Sequence, residues 1–300
     1  MWLRYLFLST CHVLVGGRWQ ETHIYRLERD LLSNYSPTVR PVLDVTSTIN
    51  VSVTLYIMSI YEIDEMSQSM AQNSYMSFKW IDEFLQWDPD EYGGLQSTEL
   101  PTSKIWLPFT EVVNSVSGSW VISPGDAGKV IARATGHVTW VYQDVWKTLC
   151  PMDITYFPFD SQQCTFRVNM WTATKSEVQF SEGQAAQDDM SIESAEWILQ
   201  SLSPAVKEII FNNETFSSFE VSFKVQRRRV FHTLTLIVPN VILALLASMV
   251  FILPAESGEK MSFIMGLLLT TGVHMTVLMD VVPSSSLNIS YLMIYITALR

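Results

Sequence analysis

An apolar run begins at Val230, directly after Arg227-Arg228-Arg229, and continues to Leu253. A bilayer core is crossed by about 20 helical residues, so this run is long enough to span one. Pro239 near its middle is tolerated in a packed transmembrane helix. The polar turn PAESGEK follows, and Met261 to Val282 forms a second apolar run. A third starts near 288, after PSSSLN, and the chain stops inside it at Arg300. The expected spans are therefore 230–253, 261–282 and an incomplete 288–300, and so odd a finish reads as truncation. The rest of the chain is acidic, and the whole carries a formal net charge of −11. Its one basic cluster, the three arginines, sits at a membrane boundary. Without a basic stripe to neutralise phosphates, nucleic-acid binding is disfavoured.

The N-terminus, MWLRYLFLSTCHVLVGG, has Arg4 as a positive start, a short apolar stretch and a small-residue end. It is too short to span a bilayer and reads as a signal peptide over residues 1–17. Its removal takes Cys11 away and leaves Cys150 and Cys164. One cysteine pair in an exported domain is a disulfide by default. Two cysteines without nearby histidines do not make a metal site, so no metal or other cofactor is expected. Three sequons, at Asn34, Asn50 and Asn213, agree with export and are expected glycosylation sites.

Residues 18–229 are expected to form one extracellular domain. ETHIYRLERDLLSNY has its apolar residues at helical spacing. In STINVSVTLYIMSI, Ile49, Val51, Val53, Leu55 and Ile57 share one face, as do Phe219, Val221, Phe223 and Val225 in SSFEVSFKVQR. Such alternation marks half-buried antiparallel strands. The fold class is thus an all-β sandwich of about ten strands with an N-terminal helix, followed by an α-helical transmembrane domain.

The second apolar run carries a stripe. Glu259, Ser262, Gly266, Leu269, Val273 and Asp280 recur at three- and four-residue spacing, which is one helix face. The stripe begins and ends with an acid, and intramembrane or rim acids are functional candidates. Around a symmetry axis these acids become charged rings that favour cations, and Leu269 becomes an apolar constriction. The plain alternative is that Asp280 only marks the water interface. Thr270, Thr271 and His274 on flanking faces suit inter-helix hydrogen bonding.

Several strings resemble the Cys-loop receptors, the pentameric ligand-gated ion channels of animals. CPMDITYFPFDSQQC has that family's disulfide loop with its Phe-Pro-Phe-Asp tip. RRR precedes the first span, and PAESGEKMSF introduces the second. WIDEFLQWDPDEY, RDLLSNYSPTVRPV and EWILQ resemble the serotonin type 3 receptor subgroup. The resemblance covers the chain from about His23 to its end. It implies a homo- or hetero-pentamer in the plasma membrane, with a postsynaptic position possible, that passes monovalent cations. It implies an amine agonist bound between subunits in an aromatic cage, where aromatic faces attract an ammonium group.

Trp171 falls where the family places its main cage tryptophan. Phe216 lies near the aromatic of the capping loop, and Tyr75 stands where the serotonin subgroup has a tryptophan. Trp106 and Pro108 match a Trp-x-Pro-Asp stretch in which Phe109 replaces the acid. The agonist-loop asparagine is Val113 by direct count, with Asn114 one residue late. Trp171, Phe216, Tyr75, Trp106 and Asn114 are therefore the expected ligand-binding residues. For coupling, the resemblance implies that Phe157, Pro158 and Phe159 press on the membrane helices, with a bond before Pro158 that can take the cis form, while Asp160 faces Arg228. The altered cage leaves open a different amine, a non-conducting or regulatory subunit of a heteromer, or gating by zinc, for which His137 is an unpaired candidate. The sequence has no HExxH, GxSxG or phosphate-binding glycine loop, so no catalysis is expected.

Overall fold

A computed structural model describes residues 22–116, 121–123, 128–252, 259–281 and 289–298, with the side chains of 278–281 not described. The expected signal peptide, Cys11 and the turns between the spans lie outside these residues.

Helix α1 spans His23–Leu32, and the Thr22 hydroxyl accepts from the Tyr25 amide at its start. Such a cap satisfies one of the free amides of a first turn. Among the described residues ten strands follow: β1 (Ile49–Asp64), β2 (Ser69–Gln86), β3 (Ser97–Pro101), β4 (Glu111–Val112), β5 (Lys129–Arg133), β6 (Thr135–Leu149), β7 (Ser161–Asn169), β8 (Val178–Ile192), β9 (Trp197–Phe211) and β10 (Glu214–Arg227). One sheet runs β3-β5-β6-β2-β1-β8 and the other β4-β7-β10-β9. β1 pairs antiparallel with β2 and parallel with β8.

The alternating residues meet between the sheets. Ile49, Val51, Val53, Leu55 and Ile57 from one sheet, and Phe219, Val221, Phe223 and Val225 from the other, are all buried in one cluster. Aromatic rings fill its middle. Phe78 stacks on Trp140 at 5.2 Å between centroids, and Trp146 meets Phe166 edge-on at 5.8 Å. Burying aromatic faces of this size dominates the energetics of a core. Cys150 bonds Cys164, tying the end of β6 in one sheet to β7 in the other. Closing a loop of about 15 residues contributes on the order of 3 kcal/mol in the chain-entropy account.

One buried carboxylate carries a pH signature. Asp82 is fully buried and accepts from the Tyr35 hydroxyl at 2.6 Å. Burial raises its pKa to about 6, against the pull of hydrogen bonds from Tyr35 and the backbone of Phe84 and Leu85. The folded state thus holds this proton more tightly than the unfolded chain does. The cost of the ionised Asp82 is full above about pH 6 and disappears as pH falls toward the unfolded value near 4. Asp82→Asn keeps an acceptor for Tyr35 and removes the titration. The stability difference between variant and wild type is expected to shrink by up to about 3 kcal/mol between pH 7 and pH 4, read by thermal melts across pH.

Among the described residues two helices are long and apolar enough to cross a membrane, and the first spans Val230–Ile252. Residues 233–237 are wound in π fashion just before Pro239, whose ring excludes the carbonyl four residues earlier. Asn240 is buried beside this irregular turn and donates from Nδ2 to the Leu236 carbonyl at 2.7 Å. The second helix spans Glu259–Val281, and a shorter helix follows at Tyr291–Ala298.

Candidate functional site

The loop between the cysteines is the seam between sandwich and helices. Phe157 and Pro158 are buried, and the bond between them is cis. Phe157 and Ile154 pack with Leu236 of the first span and Ile296 of the last helix, with Met275 of the second span against the same cluster. His232 meets the Phe157 ring edge-on at 5.3 Å. The Tyr291 amide, at the start of the last helix, donates to the Thr155 carbonyl at 3.1 Å. This loop carbonyl satisfies one of the amides that a helix start leaves free. Phe159 differs from expectation: it is 54% exposed and lies outside the cluster. Of the three tip residues, Phe157 and Pro158 are the buried pair.

Asp160 is paired with Arg227, not with Arg228. Arg227 donates from Nε to Oδ1 at 2.9 Å and from Nη2 to Oδ2 at 3.2 Å. Its Nη1 donates to Glu65 in the β1–β2 turn at 2.5 Å. The guanidinium lies over the rings of Trp197, at 4.2 Å, and Phe157, at 5.0 Å. Burial works against its charge, but the hydrogen bonds and charges of Asp160 and Glu65 raise its pKa. Arg228 points to the surface, donating to Glu193 at 2.6 Å and to the Ser194 carbonyl at 3.1 Å. Strand geometry explains the correction. Successive residues face opposite sides, so Phe219, Val221, Phe223, Val225 and Arg227 share the inward face of β10.

Trp171 and Phe216 lie together, with ring centroids 5.4 Å apart. Phe211, which no sequence motif marks, joins them edge-on at 6.0 Å from Trp171. The β9–β10 hairpin delivers both phenylalanines. It turns on Asn212 and Asn213, at φ 49° and 68°, the left-handed pair of a two-residue hairpin turn. Those two asparagines were the available signal. They set Phe211 opposite Glu214 and Phe216 opposite Ile209. Four residues further along β10, Glu220 is buried, and its charge is answered by Arg167 and Lys207. Phe211 is exposed, so the three rings form an open-sided aromatic face.

The other expected cage residues stand elsewhere. Tyr75, on β2, stacks on Tyr56 at 4.7 Å and donates to Asp188 of β8 at 2.6 Å. That bond, with some burial, pushes the phenol up to about 12. Trp106 is buried in the core, edge-on to Trp80 at 5.9 Å. Asn114 staples backbone: Nδ2 donates to the Thr165 carbonyl at 2.6 Å, and its Oδ1 accepts from the Arg167 amide at 3.2 Å. Neither Trp106 nor Asn114 contributes to the aromatic face of Trp171.

In the second span Glu259, Ser262, Gly266, Leu269 and Val273 are all exposed, Leu269 by 73%. Ile264, Leu267 and Thr271 face the first span, and Glu259, Ser262 and Gly266 also line an open groove beside its Leu243, Leu246 and Ile252. Asp280 lies in the last turn, and its side chain is outside the described residues. The exposed asparagines Asn34, Asn50 and Asn213 are open to modification. His137 bonds Thr135 through its ring at 2.9 Å, and no group of three metal-binding side chains occurs among the described residues.

Sandwich, disulfide loop and spans define a membrane receptor with an external binding domain. Residues 24–230 match the neurotransmitter-gated ion-channel ligand binding domain, and residues 236–299 the neurotransmitter-gated ion-channel transmembrane region. The chain belongs to the neurotransmitter-gated ion-channel family, the Cys-loop receptors, whose members are channels and not enzymes. It is a plasma-membrane protein with its binding domain outside the cell. It is similar to neuronal acetylcholine receptor subunit alpha-6 of Pan troglodytes, at 32% identity over 265 residues, covering 87% of this chain and 53% of that one. Subunit alpha-3 of Carassius auratus is also 32% identical, over 267 residues, 88% of this chain and 52% of that one. Subunit alpha-3 of Homo sapiens is 30% identical over 289 residues, 95% and 57% of the two chains. The chain spans about half the length of the curated relatives it matches. These relatives carry acetylcholine in their names, where the sequence strings had pointed to the serotonin subgroup.

Proposed function

We propose that the protein is a subunit of a cation-selective channel, opened when a small amine binds between neighbouring subunits of a pentamer. The buried seam carries this reading. The apolar cluster of Phe157 and Ile154 joins the loop to both candidate spans and the last helix, and Arg227 locks the same loop to β10 and the β1–β2 turn. A movement of the β9–β10 hairpin is thereby mechanically continuous with the spans. The open aromatic face of Trp171, Phe216 and Phe211 suits an ammonium group, with each face adding about 1–2 kcal/mol once desolvated. Glu259 and the exposed stripe below it suit the wall of a cation pore. The ligand is an amine of the serotonin or acetylcholine kind.

One observation favours a second reading, a subunit that contributes only one side of a site. Tyr75, the aromatic expected to close the cage from the neighbouring subunit, is tied to Tyr56 and Asp188. Voltage-clamp recording of the full-length protein, alone and with a related subunit, tests both readings. Serotonin, acetylcholine and zinc are applied in turn. Trp171→Ala is expected to raise the half-maximal amine concentration by about tenfold or more, the loss of one desolvated aromatic face. An unchanged dose–response with the related subunit present contradicts the cage and leaves this chain an accessory role.

A further inference from the structure

A pocket of about 470 Å³ lies beside α1 at the end of the sandwich carrying residues 84–92. Phe84, Trp87 and Tyr92 supply aromatic walls, and Asp30, Asp88 and Glu91 supply carboxylates. Asn34 lies in the same lining, exposed in the turn after α1, and it is the acceptor of the sequon Asn34-Tyr35-Ser36. Phe84 is 46% exposed, an apolar face open to solvent next to that asparagine. Aromatic rings stack on the C–H faces of sugars, while carboxylates accept from their hydroxyls. Small-molecule sites combine apolar walls with a few placed polar groups in this way. An ammonium ligand fits less well, because cations already serve the pocket. Arg26 lies over the Tyr92 ring at 4.9 Å, and Arg29 pairs with Asp30 at 3.1 Å.

We propose that this pocket is the seat of the chain's own N-linked glycan, attached at Asn34, whose first sugars lie against Phe84, Trp87 and Tyr92. The seated glycan splints α1 to the 89–92 turn, which already meet through the bond from Tyr92 to Asp30 at 3.2 Å. This depends only on the extracellular position of the domain, not on the ligand or the pore.

The test uses the full-length protein from glycosylating cells, purified in detergent and treated with peptide N-glycosidase without denaturation. Site-resolved mass spectrometry follows release of each glycan. Release at Asn34 is expected about tenfold slower than at Asn213 on the exposed hairpin tip, equivalent to about 1.4 kcal/mol of seating. Phe84→Ala and, separately, Glu91→Gln are expected to bring the Asn34 rate up toward that of Asn213. Both side chains are exposed, so the fold survives the changes, and an unchanged melting temperature after denaturing deglycosylation and refolding is not required. An unmodified Asn34, equal release rates in the wild type, or slow release that neither variant relieves overturns the proposal.

Discussion

Arg227→Ala is expected to destabilise the protein by about 3–5 kcal/mol, the cost of stranding a buried carboxylate without its partner. Asp160 is 4% exposed and, among the described residues, would keep the Gln162 amide, which donates to it at 2.6 Å. Glu65 and the rings of Trp197 and Phe157 would lose their shared cation in the same step. Arg228→Ala is the control. Its pair with Glu193 is solvent-exposed, so about 0–1 kcal/mol is expected. Detergent-solubilised protein followed by thermal or denaturant unfolding separates the two. Equal losses at both positions would mean that Asp160 does not depend on Arg227. Arg227→Lys should fall between them, since a lysine keeps the charge but cannot make the two-pronged contact with Asp160.

That contrast shows where the sequence was readable. The alternation in SSFEVSFKVQR was recognised, and continuing it by two residues from Val225 places Arg227 inward. The family pattern pointed instead to the middle arginine, and the strand's own period decides against it. β1 and β10 were legible because one face of each is continuously apolar and buried. β8 was not, since Glu182, Asp188 and Asp189 interrupt any apolar period and its place is set by backbone pairing with β1. The Phe157 tip was legible as an apolar segment with no reason to face water. Its neighbour Phe159 was not separable from it, because the direction of each ring depends on the turn at Pro158. Trp106 and Asn114 were placed in the cage by position along the chain. The fold instead spends Trp106 on the core and Asn114 on the backbone of β7, choices set by packing against Trp80 and by unpaired carbonyls. Phe211 shows the converse. Nothing in its own surroundings suggests a site until the two-asparagine turn folds β9 back on β10.

The stripe on the second span leads to the other large effect. Glu259 stands in the first turn of the helix, followed on one exposed face by Ser262, Gly266 and Leu269. In the proposed pentamer its charge repeats around the axis, and such rings select cations over anions. Under the proposed assembly, Glu259→Ala removes the ring and leaves Leu269 unchanged. Glu259→Gln removes the charge with little change of volume and should behave alike. The full-length protein is recorded under amine-evoked current while external salt is diluted tenfold. A cation-selective pore moves its reversal potential by nearly −59 mV, the relation for one charge per tenfold gradient. With Glu259→Ala the shift is expected to fall well toward zero, and Glu259→Gln to follow it. A wild-type pore that shows no negative shift, or variants that keep the full shift, would contradict the assignment of this helix as the wall of a cation channel.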